Sequence, residues 1–116
     1  GGISVEALGG AVGEDGLNPG TEIDLSIFRA VPNPFNNSMR LDYAVGATEA
    51  GAINIAIFDI AGRQVRGLVS GVESPGRHSV EWNGRNDNGD VMAKGIYFVH
   101  GSIGGRTLRT RVLFLH

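Results

Sequence analysis

The chain reads as an all-β protein, an antiparallel sandwich of about seven short strands behind an extended N-terminal arm. Three observations predict this. Helical periodicity is hard to find, whereas alternation with period two recurs along the body. Turn signals rich in Gly, Pro, Asn and Asp separate the alternating runs every 8–15 residues. The 116 residues contain 41% hydrophobic side chains, enough for one domain with a core, and no Cys, so no disulfide or thiolate chemistry is available.

The runs follow in order. Ile23, Leu25 and Ile27 alternate with Asp24, Ser26 and Phe28. Met39, Leu41, Tyr43 and Val45 form the second inward set, and Ile53, Ile55 and Ile57 the third. Asp59-Ile-Ala-Gly62 then reads as a type I turn closed by a glycine at positive φ. Ser74-Pro75-Gly76 is a second turn, before His78, Val80 and Trp82. Asn86-Asp87-Asn88-Gly89 is a third turn, before the apolar run Ile96 to Val99. Leu108, Val112 and Phe114 complete the last strand, and Gly104-Gly105 suits a tight primed turn between residues 94–102 and 107–115.

The charge is unevenly placed. Residues 1–28 hold Glu6, Glu14, Asp15, Glu22 and Asp24 and no base; the remainder holds seven acids and ten bases. The division is thus an acidic, Gly-rich arm over 1–22 and a sandwich over 23–116. In the arm, residues 3–12 are strand-like, with Ile3, Val5, Ala7 and Ala11 on one parity and Leu8 and Val12 on the other. Burying these side chains barely offsets the entropy of ordering the segment. A ladder of backbone hydrogen bonds closes the gap, which points to β-strand addition at a sheet edge. The edge belongs either to this chain or to a neighbouring copy, and head-to-tail donation that does not close builds filaments. Such an arm predicts a homo-oligomer or polymer, with Ile3, Val5, Ala7, Leu8 and Val12 as the self-association residues.

Catalytic patterns are missing. No G-x-S-x-G is present, and His78, His100 and His116 stand apart without a metal-pairing spacing. Asp87 and Asp90 are weak calcium candidates, because the loop departs from the EF-hand order and reads more simply as Asx turns. Gly101-Ser-Ile-Gly-Gly105 precedes a strand, so it is a hairpin turn and not a phosphate cradle. Asn36-Asn37-Ser38 is a formal glycosylation sequon. No basic stripe suits nucleic acid, no apolar run spans a membrane, and no cofactor is implied. The face carrying Arg109 and Arg111 is the best surface for an acidic partner segment. Glycan binding calls for exposed aromatics, and Trp82, Tyr43, Tyr97 and the five Phe stand mostly at core-parity positions.

Val31-Pro-Asn-Pro-Phe-Asn36, Ile57-Phe-Asp-Ile-Ala-Gly-Arg-Gln-Val65, Val80-Glu-Trp-Asn-Gly-Arg85, Asn88-Gly89 and Gly95-Ile-Tyr-Phe98 occur in this order. Together, over residues 25–115, they resemble the Ig-like, fibronectin-III-like sandwich of the flagellar hook-capping family. They are equally similar to the C-terminal sorting domains of the type IX secretion route. Locally, Pro32 and Pro34 around Asn33 make an extended, non-pairing entry, and Phe35 plugs one end of the sandwich. Gly62 supplies the turn, Trp82 anchors the core with its N–H paired, and Gly95 before Tyr97 allows a close strand approach or a bulge.

The resemblance implies a non-enzymatic structural module of a bacterial extracellular or cell-surface assembly. With the arm, it implies a self-associating subunit whose leader has been removed. The alternative is a C-terminal sorting or anchoring domain read by secretion machinery.

Overall fold

The computed structural model describes residues 25–47 and 52–115. Seven strands build two facing sheets, and the described residues include no helix. The strands are β1 (Phe28–Val31), β2 (Met39–Val45), β3 (Ile53–Phe58), β4 (Gln64–Gly71), β5 (Gly76–Trp82), β6 (Gly95–Ile103) and β7 (Arg106–Phe114). One sheet has the order β1-β2-β5 and the other β4-β3-β6-β7, with every paired strand antiparallel. This is the sandwich that the alternation predicts.

The inward sets are the predicted ones. Leu41, Tyr43 and Val45 from β2 meet Ile53, Ile55 and Ile57 from β3, all buried. Val99, Ile103, Val112 and Phe114 close the core from the C-terminal hairpin. In that hairpin Ile103 pairs with Arg106 across Gly104 and Gly105, both at positive φ (54° and 87°). Two left-handed residues at the tip are what a primed turn requires.

Three expectations change. Leu25 and Ser26 lie in a turn, and the first strand begins at Phe28. Ala30 of β1 is buried and Phe28 half-buried, so the inward parity there is even, not odd. Second, β4 completes the hairpin after the Asp59 turn although no clean alternation marks it. Its register against β3 shifts between Ile55 and Ala56 and again between Ile57 and Phe58. Each shift moves later side chains to the other face and erases the period.

Third, the Pro32-Asn33-Pro34 segment is a pairing segment. Asn33 Nδ2 donates to Arg111 O (2.8 Å), and Leu113 N donates to Asn33 Oδ1 (3.0 Å). Phe35 N then donates to Leu113 O (3.0 Å), and Leu115 N to Phe35 O (2.9 Å). The prolines remove main-chain donors, and the Asn33 amide supplies both a donor and an acceptor in their place. The chain thereby leaves the three-stranded sheet and runs parallel to the end of β7, along the edge of the other sheet. Arg106 completes this side, donating to Leu25 O (2.7 Å) and Ala44 O (3.2 Å).

Candidate functional site

The motif residues converge at one end of the sandwich. Phe35 stacks on Phe114 with ring centroids 5.0 Å apart, and Trp82 meets Phe35 at 5.6 Å and Tyr97 at 5.2 Å. Trp82 is 1% exposed, and its Nε1 donates to Arg85 O (2.9 Å). Tyr97 donates its hydroxyl to Ala93 O (2.6 Å). Burial raises the Tyr97 phenol above its ordinary pKa, with the charge of Asp59 adding to the shift. These side chains hold the Asn83–Val91 loop against the core.

Glycines fit this end in two different ways. Gly84 takes φ +76°, and a Cβ there would stand 2.5 Å from Phe114 Cζ. Gly95 takes φ +150° in open space, so backbone conformation and not a close strand approach requires it. The close approach falls at Gly101, where a Cβ would meet the Phe28 ring at 2.9 Å. Neither Gly84 nor Gly101 stood out as a packing position in the sequence; the Asn83-Gly84 dipeptide signals only a turn.

The two polar loops are occupied by their own backbone. Asp59 Oδ1 accepts from Ala61 N and Arg63 N, both at 2.9 Å, and Oδ2 from Arg63 Nε at 3.1 Å. These bonds, led by the Arg63 amide, lower the Asp59 pKa. Gly62 N donates to Asp59 O at φ +84°, the predicted turn. In the other loop Asn86 Oδ1 accepts from Asn88 N and Asp90 N (2.9 Å each), and Asp87 Oδ1 accepts from Gly67 N (3.1 Å). Asp87 thus clasps the outer edge of β4, where Asp87 N also donates to Val65 O (3.1 Å). Among the described residues no group of three His, Asp or Glu is placed to hold a metal ion. Asn86 makes the Asx turn that the spacing suggests, whereas the Asp87 carboxylate reaches across to β4 and Asp90 enters the loop through its amide.

Two surfaces remain. On the outer face of the four-stranded sheet, Arg109 lies over the Phe98 ring (5.1 Å) and His100 meets Phe58 edge-on (5.8 Å). With Ile60, 77% exposed, they line a groove of about 280 Å³. Arg109 and Arg111 share this face as expected, whereas Arg106 points to the other sheet. Phe58 and Phe98 are the aromatics that alternation turns outward.

The second surface is the outer edge of β5, which among the described residues pairs with β2 alone. Beside it Tyr43 and His78 stack at 5.6 Å, and the Tyr43 hydroxyl donates to Glu73 Oε1. His78, half-buried, has Nε2 2.7 Å from Ser74 O. Burial first, and the Glu73 contact second, raise the Tyr43 pKa. The self-association residues Ile3, Val5, Ala7, Leu8 and Val12 lie outside the described residues.

A model of the FlgD Ig-like domain matches residues 36–100, from the motif after Pro34 to the middle of β6. The chain belongs to the FlgD Ig-like domain family. Solved structures agree in fold. PorZ of Porphyromonas gingivalis, described as an essential bacterial surface component of the type-IX secretion system, is 21% identical with a TM-score of 0.58. That match covers 84% of this FlgD Ig-like domain chain and 12% of PorZ, so the chain spans about an eighth of that relative's length. FlgD from P. aeruginosa is 19% identical over 78% of each chain, with a TM-score of 0.51. No curated protein matches the chain. Among the described residues no helix of this FlgD Ig-like domain is long and apolar enough to cross a membrane.

Proposed function

We propose that this FlgD Ig-like domain is a non-enzymatic structural module of an extracellular bacterial assembly, and that it self-associates into a filament by N-terminal β-strand donation. One observation carries this reading: the two sides of the sandwich are finished unequally. The β1–β7 side is laced by Asn33, Phe35 and Arg106. On the opposite side, among the described residues, the edge of β4 is clasped only at Val65 and Gly67, and β5 bears no further strand.

Apolar surface lines that open side. Leu68, Val69 and Val80 are half-buried, and Val72 is 71% exposed. An extended segment beside β5 would satisfy its outward N–H and C=O groups and cover these side chains. Residues 3–12 have the pattern for it, with Ile3, Val5 and Ala7 on one parity. Donation to the next copy would be head-to-tail and open-ended.

Light scattering and negative-stain microscopy of the full chain, beside a chain lacking residues 1–22, test the reading. High-mass fibres from the full chain and a monomer from the shorter one are expected. An Ile3→Asp, Val5→Asp variant of the full chain should likewise lose fibres. Compact monomers from all three would overturn it.

The second reading is a sorting or cell-surface anchoring domain of a larger secreted protein. The fold likeness to a module-sized part of PorZ favours it. A reporter fused ahead of this chain in a bacterium with type IX secretion should then reach the cell surface. Retention of the reporter inside the cell would remove this reading.

A further inference from the structure

The strand register sets two aromatic rings beside two guanidinium groups on the outer face of the four-stranded sheet. Phe58 of β3 stands opposite Phe98 of β6, and Phe98 opposite Arg111 of β7. In the next outward row Ala56 stands opposite His100, and His100 opposite Arg109. Phe58 and Phe98 are half-buried, whereas His100, Arg109 and Arg111 are exposed. The small Ala56 leaves the groove between Phe58, Phe98 and the protruding Ile60 open.

The positive charge here is not balanced within the fold. Strands β3, β4, β6 and β7 contain no Asp or Glu. Among the described residues neither Arg109 nor Arg111 forms an ion pair. Arg66 and Arg106 are engaged elsewhere, Arg66 by Asn83 and Asp87 and Arg106 by the Leu25 and Ala44 carbonyls. The carboxylate at the groove, Asp59, is taken by Ala61, Arg63 and its own turn. On the outer face of the three-stranded sheet, by contrast, Arg40 and Arg29 share Asp42 (2.7 and 4.0 Å), and Glu81 stands opposite Arg40.

We propose that this face is a docking surface for an acidic peptide segment of a partner protein, whose large apolar side chain enters the Phe58–Ile60–Phe98 groove and whose carboxylates pair with Arg109 and Arg111. The Arg109 guanidinium already lies over the Phe98 ring (5.1 Å), so pairing it with a carboxylate costs little further side-chain entropy. Two residues apart on one strand face, Arg109 and Arg111 stand about 6.6 Å apart, which is also the repeat of alternate side chains in an extended peptide. The apolar anchor fixes a position that charge alone would leave undefined. An anionic bilayer calls for a cluster of roughly four to eight Lys or Arg. Nucleic acid calls for several phosphate contacts. Two guanidiniums beside an apolar groove fit a short acidic peptide better than either. The β5 edge takes no part, so this docking stands apart from strand donation.

The probe is a blocked synthetic peptide with one leucine between two pairs of glutamates, titrated into the isotope-labelled full chain. Saturable shifts of the amide signals of Phe58, Ile60, Phe98 and Arg109 are expected. An Arg109→Glu, Arg111→Glu variant should bind about tenfold more weakly, since two exposed attractions become two repulsions. An unchanged circular dichroism spectrum checks that this variant is folded. An Arg29→Glu, Arg77→Glu variant makes the same change of net charge on the other outer face and should bind as the original chain does. Equal loss in both variants would reduce the effect to net charge and overturn the proposal. So would equal binding of the matching glutamine peptide, or no shift at millimolar peptide. Shifts of these signals by phosphatidylglycerol vesicles and not by the peptide would make the face a membrane contact and overturn it too.

Discussion

At Gly84 two demands coincide, and a methyl group satisfies neither. The backbone sits at φ +76°, and the added Cβ would stand 2.5 Å from the Phe114 ring. That ring is itself wedged against Phe35 and Trp82, so it has nowhere to retreat. Gly84→Ala should cost about 2–4 kcal/mol, the sum of a left-handed non-glycine residue and an overpacked core. Urea unfolding of the variant checks this; a change under about 1 kcal/mol would show that Phe114 yields. At this scale the sequence was readable where a residue type has one common use. Trp82 as a paired core anchor and Gly62 as a turn former follow from chemistry alone. Gly95 and Gly101 were not separable, because a glycine needed for φ and one needed for space are the same letter.

The Asn33 strap belongs to the scale of elements. Its amide makes two hydrogen bonds to the end of β7 that no backbone group of a Pro-Asn-Pro run could make in full. Asn33→Ala leaves Leu113 N and Arg111 O to solvent and should cost about 1–3 kcal/mol. Hydrogen exchange at Leu113 should quicken while Val99, in the centre of the same sheet, stays protected. Equal acceleration at both would mean that the strap supports the whole sheet and not its edge. Strand positions were legible wherever alternation was unbroken, as in β2, β3 and β6. They were not in β4, where two register shifts scramble the period, or at the strap, where a side chain imitates a strand.

For the molecule as a whole, alkaline pH is the informative variable. Tyr43 in β2 and Tyr97 in β6 are the two tyrosines, one in each sheet, and burial raises both phenols above their ordinary value. A raised folded pKa favours the neutral form. The stability it contributes is present below the ordinary tyrosine pKa of about 10 and is lost as pH rises beyond it. Phenolate absorbance should therefore appear above pH about 10 and together with loss of the β-sheet circular dichroism signal. Phenolate formed near pH 10 in an intact sandwich would contradict this. The fold class and its family resemblance were legible because core alternation and the ordered motifs are both local. The outer-face groove was half legible: Arg109 and Arg111 were visible as a pair, but Phe58, Phe98 and Ile60 join them only once β3, β6 and the Asp59 turn are side by side.

The lacing of residues 33–35 along β7 also sets how the sandwich bears tension. The entering chain at Leu25 and the leaving chain at Leu115 belong to segments that run parallel where they touch. A pull applied through those two points slides one segment along the other. The four bonds made by Asn33 and Phe35 are then loaded together, whereas a hairpin pulled from its open end releases its bonds one by one. A module strung between neighbours would resist extension at this seam first.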